Sequence, residues 1–193
     1  MQHGQIISAH VGGVIHRPAG LLVPVAFRGH WDVVAKRVKN LKTGTREEIW
    51  RDVIENIVVN AGLDYLLDIG LSAGTQLTSW FLGLTDGTPT VAAGDTMSSH
   101  AGWAEVTAYD ESTREAWTDG GVSSQSVSNS GSVATFTIST DGTTVGGAFL
   151  ASNSTKGGTT GTLYAAGAFS AGDKSLDSAD TLDVTGTFTA AAA

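Results

Sequence analysis

One stretch constrains the fold of this chain more than any other: residues 56–84, NIVVNAGLDYLLDIGLSAGTQLTSWFLGL. It reads as strand, short helix, loop and strand. Ile57 to Val59 is a β-branched run, and Asn60 is a suitable N-cap for a helix from Ala61 onward. Leu63, Leu66 and Leu67 fall at i, i+3 and i+4, an apolar stripe about two turns long. Gly70 offers the positive φ that ends such a helix near residue 69. An isolated helix this short is marginal in water, so it must lie on a sheet. Ser79 to Leu84 then resumes extended structure, and Thr85-Asp86-Gly87 turns it.

Before this stretch the chain is basic. Residues 1–60 hold eight Lys/Arg against five acids, a net +3, while the remainder holds three against fourteen, a net −11. A basic arm on an acidic body suits docking onto the acidic face of a neighbouring subunit. Nucleic acid is a poor fit, because the basic residues form no dense run interleaved with stacking aromatics. Residues 1–27 have no sustained period. Gly4, Gly12, Gly13, Gly20, Pro18 and Pro24 cut them into short apolar pieces around Ile6-Ile7, Val14-Ile15 and Leu21-Leu22. Alone, such an arm buries little, so it needs a partner. Two units follow: residues 1–30 as an extended docking arm, and residues 31–193 as one domain with a short helix near 61–69.

Trp31 to Val38 reads as a strand, and Lys42-Thr43-Gly44-Thr45 as a turn. Residues 45–55 carry two patterns. Thr45 with Glu48 fits a capping box, and Ile49, Val53 and Ile57 recur every four residues, which favours helix. A bulged strand returning from the turn is the alternative. Beyond Leu84 strand signals come at short intervals: 103–107, 115–118, 134–138, 145–151, 163–169 and 182–188. Ala134, Phe136 and Ile138 alternate with Thr135, Thr137 and Ser139, one face buried and one wet. Asp141-Gly142 reads as a hairpin turn into 145–151. The fold class is therefore mainly β: an antiparallel β-sandwich of immunoglobulin-like or jelly-roll type, with one or two short helices.

The run WFLGLTDGTPTVAAGDTMSSHAGWAEVTAY at 80–109, with VGGAFL (145–150), GTLYAAGAFS (161–170) and ADTLDVTGTFT (179–189), resembles small structural proteins of tailed bacteriophages. NIVVNAGLDYLL (56–67) is similar to a segment of phage fibre-base and accessory capsid proteins. The likeness spans roughly residues 56–189 and leaves the arm unmatched. It implies a β-rich, non-enzymatic, oligomeric virion component, of capsid-decoration or neck/tail type. Copies of itself and other virion proteins would be its partners, after assembly in the bacterial cytoplasm. The expected anchors are Ile6, Ile7, Val14, Ile15, Leu21 and Leu22, with Arg17 and Arg28 pairing to acidic neighbours.

Other chemistry finds little support. The chain has no cysteine, which excludes disulfides, thiolate metal sites and cysteine nucleophiles. No apolar run is long enough to span a membrane as a helix, and the start lacks a secretory pattern, so a soluble protein is expected. His3, His10, His16, His30 and His100 include no HxH or HxxxH pair, and neither metal nor cofactor is expected. No G-x-S-x-G elbow or phosphate-binding glycine loop occurs. Glu105, Asp110, Glu111 and Glu115 lie near Trp103, Tyr109 and Trp117, a composition found in sugar-cleaving or sugar-binding clefts. Loop acids beside core aromatics are the simpler reading. A receptor- or carbohydrate-binding module of a tail fibre is the alternative to a docking protein.

Overall fold

The computed structural model describes residues 25–40 and 42–192. Two long strands begin it, β1 (Val25–Asn40) and β2 (Thr45–Val58), followed by the helix α1 (Asn60–Leu71). The strands β3 (Trp80–Asp86), β4 (Ala104–Val106), β5 (Glu115–Trp117), β6 (Ser126–Ser128) and β7 (Ala134–Thr137) come next. The chain continues through β8 (Thr143–Val145), β9 (Gly147–Ala151), β10 (Leu163–Ala168), β11 (Lys174–Leu176) and β12 (Thr181–Ala192).

Every strand pairing is antiparallel, and the strands form a sandwich. One sheet runs β2–β1–β12, with β6 and β7 on the far edge of β12. The other runs β10–β9–β3, with β4 and β5 on the far edge of β3. Strand β2 belongs to both, because Ile57 and Val58 leave β1 and pair with Ala166 and Ala165 of β10. The inner faces follow the period of two. Trp31, Val33 and Ala35 from β1, Leu182 and Val184 from β12, and Leu82, Leu84, Leu150 and Ala165 from the second sheet form one buried core. Gly186 keeps a slot open in it, since a Cβ there would lie 2.5 Å from the Trp31 ring and 2.6 Å from Trp117.

The second sheet is covered on its outer face as well. Met97 and Trp103 pack there against Phe149, Ala151, Leu163 and Ala166, so all five residues of β9 are buried. Strands buried on both faces lose alternation and read as continuous small or apolar runs, as Gly147–Ala151 does.

Residues 45–55 are strand and not the helix favoured above. A four-residue spacing is an even number, so Val53 and Ile57 share a face of a strand as readily as of a helix, while Ile49 falls at the bulge opposite Ala35/Lys36. The pairing decides. β2 runs antiparallel to β1 from Asn40↔Thr45 to Gly29↔Asn56, with register shifts at Ala35/Lys36 and Val38/Asn40. Glu48 does not cap a helix but binds Arg51 through two hydrogen bonds of 2.7 and 2.8 Å.

The helix is present and longer than expected. Val59, not Asn60, is its N-cap, with no side-chain hydrogen bond. Gly70 lies inside it, and the left-handed turn comes at Ala73 (φ 57°), with Ser72 and Gly74 donating to the Asp68 carbonyl. Gly142 does take positive φ, but the turn it makes is a corner and not a hairpin: β7 pairs with β12, and β8 with β11. The boundary expected at residue 30 also moves, because Val25 to His30 are already paired with β12.

Candidate interaction surface

Glycine sets how α1 seats. Gly62 is its buried residue, and a Cβ there would come 2.3 Å from the Tyr164 carbonyl oxygen. With the backbones that close, Tyr65, Leu66 and Ile69 share the side of Gly62, at i+3, i+4 and i+7. The apolar stripe is thus offset from Leu63, Leu66 and Leu67, and Leu67 is 58 % exposed. The Tyr65 hydroxyl accepts a hydrogen bond of 3.0 Å from the Leu77 N–H, tying the segment after the helix back onto it.

Between α1 and the sheets lies an open cleft of about 500 Å³. Its lining is an aromatic chain. Tyr65 meets Trp80 edge to face at 5.2 Å, Trp80 meets Tyr164 at 5.3 Å, Tyr164 meets Phe188 at 5.2 Å, and Phe188 meets Trp117 at 5.6 Å. Edge-to-face pairs of this kind hold their rings in fixed positions, so the walls are preformed. Burial, with Tyr65 beside it, pushes the Tyr164 hydroxyl up to about 12, so it stays neutral. Leu66, Ile69, Leu77, Val122, Val127 and Leu150 complete the apolar lining, Gln76 and Thr78 add polar groups, and Asp119 is the charged residue in it. Val122 is 79 % exposed and Leu71, at the end of α1, 85 %. Past Gly29 and Phe188 the β1–β12 pair continues as a ribbon to Val25 and Ala192, flanked at Thr189 and Ala190 by Ser126 and Gln125. There Val25 and Phe27, on the same strand face as Trp31, are exposed opposite Ala192 and Ala190.

The expected anchors Ile6, Ile7, Val14, Ile15, Arg17, Leu21 and Leu22 lie outside the described residues. Arg28 lies on the β1–β12 ribbon, exposed and paired through its backbone with Thr189. Much of the basic charge of residues 25–60 is used within the chain. Arg37 binds Asp180 at 2.5 and 2.8 Å and Asp177 at 2.9 Å, Lys36 binds Asp183, and Arg46 donates to the Ala179 carbonyl at 2.7 Å. The hydrogen bond from Arg37, working against burial, holds the Asp180 carboxyl below its ordinary value. At Asp52 burial opposes ionisation, but hydrogen bonds from Ser170 and from the Val53 and Ala171 N–H groups, with Lys174 nearby, outweigh it.

The carboxylates weighed as an acid/base pair occupy other roles. Glu105 takes both oxygens to Arg114, at 2.7 and 2.9 Å, and accepts a third hydrogen bond from the Gly157 N–H. Arg114 is fully buried over the Phe149 ring and also donates to the Asn153 and Gly158 carbonyls. Both oxygens of Glu111 accept from the Thr137 N–H. Burial, with Glu111 nearby, pushes the Glu115 carboxyl above its ordinary value, and Asp110 is exposed. Among the described residues no hydrogen bond joins any two of the four. Trp103 and Trp117 also lie apart: Trp103 packs in the outer cluster with its indole N–H on Asp95, and Trp117 against the inner core.

His30 lies between Glu55 (3.0 Å) and Asp32 (3.4 Å), and chiefly its hydrogen bond to Glu55 raises its pKa. Among the described residues no group of three potential ligands is placed to hold a metal ion, and no helix is long and apolar enough to cross a membrane. Comparison with protein-family models, with curated proteins and with solved structures found no match to this chain.

Sequence reading missed the aromatic cleft. Its walls come from α1, β3, β5, β10 and β12, and no local spacing links those positions. The one local signal was Gly62 followed by Tyr65, Leu66 and Ile69, the true inner side of the helix.

Proposed function

We propose that this chain is a non-enzymatic structural subunit of a tailed-phage virion that attaches to neighbouring subunits through its N-terminal segment. The observation that carries this reading is the aromatic cleft. It is rigidly walled, apolar and open, and it adjoins the ribbon through which residues 1–24 join the domain. Contiguous exposed apolar surface of this kind marks an interaction site on a soluble domain. The resemblance of residues 56–189 to phage structural proteins supports the particle context, and the structural roles of Glu105 and Glu111 favour a mechanical role over a chemical one.

The test is charge reversal on the arm. Arg17→Glu with Arg28→Glu should lower incorporation into particles, more at low salt than at high, because like charges then face an acidic neighbour. Asp110→Asn, at an exposed loop acid, should leave incorporation and infectivity unchanged. Harmless arginine reversals would sink the docking reading. Glycan binding is the second reading, favoured by Trp80 and Trp117 in the cleft wall. Binding on a glycan array that Trp117→Ala abolishes would select it.

A further inference from the structure

We infer that His30 is a proton-operated clip at the fork where β1 and β2 part: charged, it ties the two strands together, and neutral, it lets the outer end of β1 loosen. The device acts whatever residues 1–24 attach to.

The pairing sets the fork. β2 follows β1 as far as Gly29↔Asn56, and one residue later Ile57 is paired with Ala166 of β10 instead. Outward of that point Val25 to Arg28 keep β12 as their strand neighbour among the described residues. A strand end held along one edge opens more easily than a strand held along both. His30 faces Glu55 in the last pair but one before the split. Directly opposed residues share a face, so His30, Glu55 and Thr187 lie on the outer face, behind buried Trp31 and Ile54. The inner side of the fork has no such tie. There Asn56 packs so closely on Gly29 that a Cβ would collide with its amide, and both polar atoms of that amide are buried without a hydrogen-bond partner among the described residues. An amide in that state weakens the fork, and the histidine is the side-chain link across it.

Geometry makes the link depend on a proton. The Nδ1 of His30 is 3.0 Å from Glu55 Oε1, and its Nε2 is 3.4 Å from Asp32 Oδ1. An ionised carboxylate only accepts, so each ring nitrogen must bring a hydrogen, and a neutral imidazole has one to give. Both bonds exist together only on the imidazolium. The Glu55 bond, working against burial, chiefly raises the His30 pKa from its ordinary 6.5. The clip is therefore complete below the ordinary value and is lost as pH rises through the raised one.

The other groups on this face do not take over its role. On β2, Arg51 is engaged by both oxygens of Glu48. On β12, Thr185 and Thr187 are uncharged, and Asp183 binds Lys36 and Thr135. Ser128 of β6 lies beside Thr187, and Pro89, Val91, Ser170 and Ala171 beside the two carboxylates are uncharged. Arg28 follows two residues outward on β1, past the last β1–β2 pair. Losing the proton leaves Glu55 and Asp32 as two anions around a neutral ring.

NMR titration of the full chain tests the clip, with the His30 ring identified as the signal missing from His30→Gln. Its midpoint should lie above 6.5 and fall towards that value in Glu55→Gln and, by less, in Asp32→Asn. Hydrogen exchange then reads the fork, each amide rate being divided by its unstructured rate at the same pH. The His30 side chain is 42 % exposed, so the change is that of a screened surface pair. Val25 to Gly29 should open about two to five times more at about pH 8.5 than at about pH 6. The amides of Val33 to Ala35, held by strands on both sides, should not follow. In His30→Gln, which can donate to Glu55 but does not titrate, opening should be equal at the two pH values. A midpoint at or below 6.5, or one indifferent to Glu55→Gln, overturns the inference. So does equal opening of the parent ribbon at both pH values, an equal change at Val33 to Ala35, or a His30→Gln ribbon that keeps the parent's pH dependence. Should a variant not fold, the parent's own midpoint and exchange at the two pH values decide.

Discussion

Phe136 and Thr137 are neighbours in β7 with opposite surroundings. Phe136 is fully buried and meets the Tyr109 ring edge to face at 5.1 Å, while the Thr137 side chain points the other way and is partly exposed. Phe136→Ala should cost about 3–5 kcal/mol, since the core closes only partly around the cavity. Thr137→Ala should stay within about 0.5 kcal/mol, because the hydrogen bond to Glu111 uses the Thr137 backbone N–H. Chemical denaturation of the two variants checks the pair, and equal midpoints would mean the faces of β7 are assigned wrongly. Arg114 is the second sensitive residue. Arg114→Met leaves Glu105 buried without its cation, and the loss should be about 3–5 kcal/mol. Changing both residues, Arg114→Met with Glu105→Leu, should recover part of it, and a double variant worse than the single would contradict the pairing.

At the level of elements, the acid response separates the ion pairs from the core. Asp180 and Asp52 both have folded-state pKa values below their ordinary 3.8, so the unfolded chain binds more protons than the folded one at acid pH. Their contribution is therefore complete above about pH 5 and is lost as pH falls through the usual carboxylate range and below it. Asp180→Asn should lower the melting temperature near pH 7 and flatten its fall between about pH 5 and 3. An unchanged acid limb would mean that Arg37 adds nothing at this site. The helix offers a steric test: Gly62→Ala would press a methyl group into the Tyr164 carbonyl, so α1 must lift or the domain must lose stability. A variant as stable as the parent, with unchanged tryptophan fluorescence from Trp80, would refute that seating.

The same elements show which features the residues themselves announce. The strands β1, β7 and β12 were legible because each has one buried and one wet face, and period two is then visible in the residues themselves. The helix was legible from its apolar spacing, but not its inner side. The contact is made by a glycine, which no hydrophobic pattern registers. Strand β2 was misread because a spacing of four satisfies both periods, and only its partner β1 resolves it. The partners of β7 and β8, and the cleft, depend on residues far apart in sequence, for which local patterns carry no signal.

For the whole molecule, the charge asymmetry divides into two parts. The basic residues of the β1–β2 hairpin are largely neutralised inside the domain, by Asp177, Asp180 and Asp183 and by Glu47 and Glu48. The basic side chains with no acidic partner among these pairs include Arg28 on the ribbon, Lys42 in the turn and Arg46, which meets only a backbone carbonyl; residues 1–24 add one more charged side chain, Arg17. Attachment should then depend more on apolar surface than on charge, with salt modulating it and not abolishing it. On the function proposed above, residues 1–24 attach the domain to its neighbours and are not needed for its fold. The most direct measurement is the copy number, in purified particles, of a chain lacking residues 2–24, alongside its circular dichroism in solution. A β-rich spectrum and a melting temperature close to those of the full chain are expected, with copy number reduced to background. A shortened chain present at full copy number would contradict it.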